Sequence, residues 1–197
     1  MLNSSSPDYF SQMKKNTLMT RSLEVISMAM LVSCGGASTS AADPVVSKNS
    51  TTIATKDGSA MLDHDTELST AFTGLTLKQT YIVDGNDKKI AGSKVALNSN
   101  FSIVYEGVKN YTLKDDKAFP NLSMQVIDDN QQTVLSKSDL FATSYPDGLS
   151  VSDASVLRAT ITVGDPIKPG KYICSVQIID KNNNNAFIHS TWEFEVE

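Results

Sequence analysis

The chain predicts an all-β antiparallel sandwich, and three observations carry that expectation. Leu157, Ala159, Ile161 and Val163 alternate with Arg158, Thr160 and Thr162, a period of two that places one face on a core and the other in water. Similar short segments recur along the chain, separated by clusters of Asn, Asp, Gly and Pro, which tolerate positive φ or preset a turn. No helical periodicity is sustained after the N-terminal region. At 197 residues the chain is long enough for one domain with a full hydrophobic core.

Taken in order, the strands begin at about residue 61. A weak candidate covers 75–83, and clearer ones cover 101–108 and 122–127. The segment 172–179 is apolar on both faces, which predicts a central position in its sheet. In the last strand Ile188, Trp192, Phe194 and Val196 share one face, opposed by His189, Thr191, Glu193 and Glu195. Asp84-Gly85-Asn86, Asp128-Asp129-Asn130, Lys168-Pro169-Gly170 and the asparagine run 182–185 read as turns, and a helical turn opens the stretch 152–157. The sequence Pro169-Gly170-Lys171-Tyr172, the following strand, the Asp180-Lys181 turn and the strand ending Glu193-Phe194-Glu195-Val196 resemble the final hairpin of bacterial immunoglobulin-like domains. That resemblance covers about the last third of the chain. It implies an immunoglobulin-like sandwich, with Tyr172 as a core or corner residue.

The N-terminal region has a different character. Lys14 and Lys15 follow Met13, the apolar run Val25-Ile26-Ser27-Met28-Ala29-Met30 comes next, and Leu31-Val32-Ser33-Cys34-Gly35-Gly36 closes it. A basic start, a short apolar stretch and small residues are the parts of an export signal. Leu31-Val32-Ser33-Cys34 resembles the lipobox of bacterial lipoproteins, although Glu24 at the front of the apolar run departs from that pattern. The resemblance implies lipidation of Cys34 and removal of the preceding peptide, and the basic Lys14-Lys15 points to Met13, rather than Met1, as the translation start with 1–12 an upstream extension. Gly35, where aspartate commonly retains such proteins at the inner membrane, points to the outer membrane, in its periplasmic or its surface-facing leaflet. A second small-x-small sequence, Ser40-Ala41-Ala42, offers an alternative cut that releases a soluble periplasmic protein.

The expected organisation is therefore an upstream extension and signal peptide over 1–33, a lipidated N-terminus and flexible linker over 34–60, and a β-sandwich over 61–197. The small and polar composition of 37–57 reads as a tether. No later apolar run approaches the ~20 residues that span a bilayer.

The net charge is −5. Removing residues 1–33 takes out Lys14, Lys15 and Arg21 against Asp8 and Glu24, leaving −6 with Arg158 as the remaining arginine. Phosphate recognition needs clustered Lys and Arg, so nucleic acid is not an expected partner. With Cys34 carrying lipid, Cys174 lies alone in an apolar strand pattern and reads as a buried core thiol. His64 and His189 stand in no metal-ligand spacing, and His189 falls on an outward face. Ser150 lacks the glycine of a nucleophile elbow. The acidic turns at 84–87 and 128–130 lack the full calcium-loop pattern and read as hairpin turns. No cofactor or metal is called for.

The longest irregular stretch, 139–153, carries Phe141 and Tyr145. Its apolar residues either plug the end of the sandwich or offer aromatic surface to a ligand. The sequence thus implies a non-catalytic, membrane-anchored envelope module whose partner is another envelope protein or a surface ligand. The alternatives are a glycan-binding module using Phe141 and Tyr145, and a carboxylate-based hydrolase, since a carboxylate pair needs no local motif.

Overall fold

The computed structural model describes residues 50–55 and 58–197, and Cys34 and the export region lie outside them. Thirteen strands and one helical turn follow in order: β1 (Ser50–Thr55), β2 (Gly58–Asp63), β3 (Leu68–Thr73), β4 (Gln79–Asp84), β5 (Lys94–Val95), β6 (Asn100–Glu106) and β7 (Lys117–Ala118). The second half holds β8 (Pro120–Asp128), β9 (Thr133–Lys137), β10 (Leu149–Ser150), α1 (Val151–Ala154), β11 (Val156–Thr162), β12 (Gly170–Asp180) and β13 (Asn183–Val196).

These strands form an antiparallel sandwich, as the alternation predicts. The larger sheet runs β1-β2-β3-β13-β12-β8-β9, with β5 added in parallel beside the end of β13. The smaller sheet is β11-β6-β4, and β7 and β10 form a separate short pair. β12 lies between β13 and β8, the central place expected from its two apolar faces. The inner layer is one cluster of buried side chains drawn from both sheets.

Its centre is aromatic. Phe101 of β6 meets Trp192 edge-on at 5.0 Å between ring centroids and Phe194 at 5.2 Å, while Trp192 and Phe194 stack at 5.1 Å. Such pairs add about 0.5–1.5 kcal/mol each beyond the area they bury. The Trp192 Nε1–H donates to the Thr66 carbonyl at 2.9 Å, so the indole is buried without an orphaned donor. Tyr172 packs on Phe194, and its hydroxyl donates to the Lys168 carbonyl at 2.8 Å while accepting from the Lys168 N–H at 3.0 Å. A tyrosine bonded to backbone just upstream at the start of a strand is the corner device of immunoglobulin-like sandwiches. Tyr172 is therefore both core and corner.

The strand boundaries depart from expectation at the N-terminal side. β1 and β2 occupy residues 50–63, so a hairpin stands in the larger sheet where a linker up to residue 60 is expected. β1 buries none of its side chains fully, so hydrophobic alternation does not mark it. The stretch 75–83 is also divided: β4 starts at Gln79, and Leu75 and Leu77 are buried from the connection before it. At the last hairpin the turn is Lys181-Asn182, and Asn183 to Asn185 already belong to β13.

Gly74 requires its lack of a side chain. Its φ is +68°, and an added Cβ would stand 2.7 Å from both Cα and Cβ of Ala186 on the neighbouring strand. Gly74→Ala is expected to lower the melting temperature through that clash and the left-handed backbone together. An unchanged melting curve would contradict the close approach.

Candidate functional site

The loop singled out by the sequence folds against the body of the domain. The Leu140 N–H donates to the Leu122 carbonyl at 2.8 Å, and Asp139 pairs with Lys181 at 2.7 Å. The Asp139 carboxylate also accepts the N–H of Phe141 and of Ala142, which turns the chain. Leu140 and Phe141 are partly buried and pack against the core, whereas Tyr145 is 49% exposed. The two rings meet edge-on at 5.9 Å, so the structure brings the predicted pair together but presents only Tyr145 to solvent. Further on, the stretch becomes regular. Ser150 caps α1, its Oγ accepting the Asp153 N–H at 3.1 Å and donating to the Asp153 carboxylate at 2.7 Å.

Cys174 is fully buried on β12, and burial pushes its thiol up to about 12. The thiol form is favoured in the folded state, so that contribution is full below about 9 and is lost as the pH rises toward 12. A thiol reagent at mildly alkaline pH is expected to label Cys174 only after denaturant is added. Labelling in the native state would refute the burial.

The histidines remain apart. His64 is exposed, with Nε2 2.8 Å from the Thr51 hydroxyl. His189 is on the outward face, as predicted, yet half-buried, and desolvation lowers its pKa below the usual imidazole value. Both acidic turns are closed by backbone. Asp84 Oδ1 accepts from Asn86 and Lys88 amides, and Asp128 Oδ1 from Asn130 and Gln132 amides. Among the described residues, no group of three or more His, Cys, Asp or Glu could hold a metal ion.

Two polar features escape a residue-by-residue reading. A groove of about 400 Å³ opens at one end of the larger sheet, lined by Asp129, Lys171, Glu193, Glu195 and the half-buried Ile127 and Ile173. The outward position of Glu193 and Glu195 is legible in the alternation of β13; their meeting with Asp129 and Lys171 depends on strand pairing. The second feature covers the outer face of the smaller sheet. Glu106 accepts from Gln79 at 2.5 Å, from Lys78 at 3.1 Å and from the Tyr81 hydroxyl at 3.4 Å. The Gln79 hydrogen bond, then that of Lys78, holds its carboxyl below the ordinary range. Arg158 pairs with Asp87 at 2.5 Å, and Lys89 Nζ stands 4.0 Å over the Tyr81 ring.

No protein-family model matches the chain, and no curated protein is similar to it in sequence. Among solved structures it is similar to the C-terminal domain of Wzt, at 12% identity over 66% of this chain and 78% of that one, with a TM-score of 0.44. It is also similar to the soluble domain of PmoD from Methylocystis sp. ATCC 49242 (Rockwell), at 10% identity over 60% and 90% of the two chains, with a TM-score of 0.34. A third likeness is to Cel61B, a glycoside hydrolase family 61 member from Hypocrea jecorina, at 8% identity over 55% and 53%, with a TM-score of 0.31. With every TM-score below 0.5, these likenesses carry no argument about what this chain does.

Proposed function

We propose that this chain is a membrane-anchored, non-catalytic binding module of the bacterial cell envelope, held at the outer membrane by lipid on Cys34. The observation that supports the non-catalytic part is that five acids, Asp63, Asp84, Asp128, Asp139 and Asp180, each accept a backbone N–H in their own turn and so shape loops. Asp129, Glu193 and Glu195 line the groove beside Lys171. The exposed surface of the sheets, with that groove, is the surface offered for recognition. The anchor rests on the lipobox-like Leu31-Val32-Ser33-Cys34 and on Gly35. Among the described residues, no helix is long and apolar enough to cross a membrane. Acyl chains contribute ~0.8 kcal/mol per buried methylene, and two or more hold a protein stably where one holds it marginally.

In a bacterial host fed a palmitate analogue, the wild-type chain is expected to take up label and sediment with membranes. Cys34→Ala is expected to lose both properties. Label retained by the variant overturns the anchor. For the binding part, cross-linking in intact cells is expected to yield a reproducible envelope protein or ligand; the absence of any such adduct, with no ligand held in binding arrays, overturns it.

A further inference from the structure

The two outer faces of the sandwich differ in charge. The small sheet's outer face carries Lys78, Lys89, Arg158, Asp87 and Glu106 in paired contacts. Among the described residues, the larger sheet's outer face gathers Lys171, Glu193 and Glu195 at the groove end, and the rows beyond that end differ. Residues opposite one another across the strands form rows, and the middle row runs Ser136, Gln125, Ser175, Thr191, Ser69, Leu62 and Thr51, one from each of seven strands. The next row is Ser123, Gln177, His189, Ala71, Ala60 and Ile53. A third holds Asn121, Ile179, Phe187 and Thr73. Ordinary surfaces are charged at roughly a quarter to a third of positions. These three rows contain no Asp, Glu, Lys or Arg, and desolvation lowers the pKa of His189, which disfavours its charged form.

We infer that this face binds an uncharged polysaccharide, laid across the strands along the middle row. The inference rests on the reading of the chain as a binding module and names its ligand class and surface. An ionic ligand finds no counter-charge within these three rows, the nearest being Glu193 in the row beside Thr191, whereas a neutral one brings no charge that must be desolvated without a partner. Hydroxyl and amide side chains make up most of the rows and both donate and accept, which matches a ligand of repeated hydroxyls. Ile53, 61% exposed, and Leu62, 39% exposed, add apolar patches for the C–H faces of sugar rings. The row repeats at the strand spacing of ~4.8 Å, comparable to one sugar unit of an extended polymer, and seven strands give a track of roughly 29 Å. Each hydrogen bond contributes only about 0.5–1.5 kcal/mol net, so a polymer touching several strands is favoured over a single sugar. A second copy fits less well, because stable dimer interfaces concentrate apolar area at their centre, where this face has Ser175, Thr191 and Gln177.

The full chain is to be tested for retention on insoluble neutral polysaccharides (cellulose, starch, a β-1,3-glucan) and in gels containing dextran, against alginate and heparin as charged controls. Retention on at least one neutral polymer, equal in low and high salt, is the expected result. Placing charge at the centre, by Ser175→Lys with Gln177→Lys or by Gln177→Glu alone, is expected to weaken it about tenfold. Circular dichroism melts certify folding, and Gln177→Glu, at an exposed position, serves if the double variant unfolds. Retention that high salt abolishes, that is confined to the charged polymers, or that survives the face variants and disappears with Phe141→Ala and Tyr145→Ala overturns the inference. A dimer in sedimentation that the face variants dissociate also overturns it. No polysaccharide retention, together with an envelope protein captured equally by wild type and face variants, overturns the inference and leaves the binding-module reading standing.

Discussion

Trp192→Ala is expected to cost about 3–5 kcal/mol of stability, the range for removing a large aromatic from a core. Trp192 is 1% exposed, touches Phe101 and Phe194, and satisfies the Thr66 carbonyl through its ring N–H. The substitution removes apolar burial, opens a cavity between the two sheets and orphans a buried acceptor, and these effects add in one direction. Domains of this size have about 5–15 kcal/mol in total, so the variant should lie at or near the edge of folding. Urea unfolding followed by circular dichroism is the suitable measurement, because Trp192 is the single tryptophan and its fluorescence leaves with it. Trp192→Phe, which keeps the stack but not the N–H, should fall between wild type and alanine. A midpoint for Trp192→Ala within error of wild type would refute the placement of this ring at the junction of the sheets.

The second large effect is expected at Asp180. This carboxylate is fully buried at the end of β12, accepting the Thr112 N–H at 2.6 Å and the Asn182 N–H at 3.0 Å. It thereby joins the last hairpin to a segment nearly 70 positions away in sequence. The Asn182 side chain adds a bond to the Thr112 carbonyl at 2.8 Å. Asp180→Ala leaves two amides without their acceptor, and bonds to a charged group contribute about 1.5–3 kcal/mol each, so a loss of about 3 kcal/mol is expected. Asp180→Asn keeps one acceptor oxygen and should lose less. The comparison is made by thermal melts with amide hydrogen exchange at Thr112. Equal stability of alanine and wild type would show that water replaces the carboxylate.

How much of the molecule is legible in the chain depends on how local each signal is. β11, β12 and β13 are read from alternation because burial of every second residue is written into neighbouring positions. The turn acids Asp84 and Asp128 are legible for the same reason, since their partners lie within four positions. β1 is not, because this edge strand buries none of its side chains fully, and β2 buries only Met61 and Asp63, an alternation too short to mark a strand. Phe141 and Tyr145 stand out as aromatics in a loop. Which of them faces solvent follows from the anchoring of that loop by Leu140 and Asp139 to β8 and Lys181, contacts remote in sequence.

The sequence by itself determined the all-β class, the strands of the C-terminal half and the burial of Cys174. Tertiary structure decided the rest. The acidic groove, the bonds about Glu106 and the charge-free rows of the larger sheet each join residues from several strands. Such neighbours are set by the order and register in which strands pair, a consequence of burying one shared core and not of any short stretch of sequence.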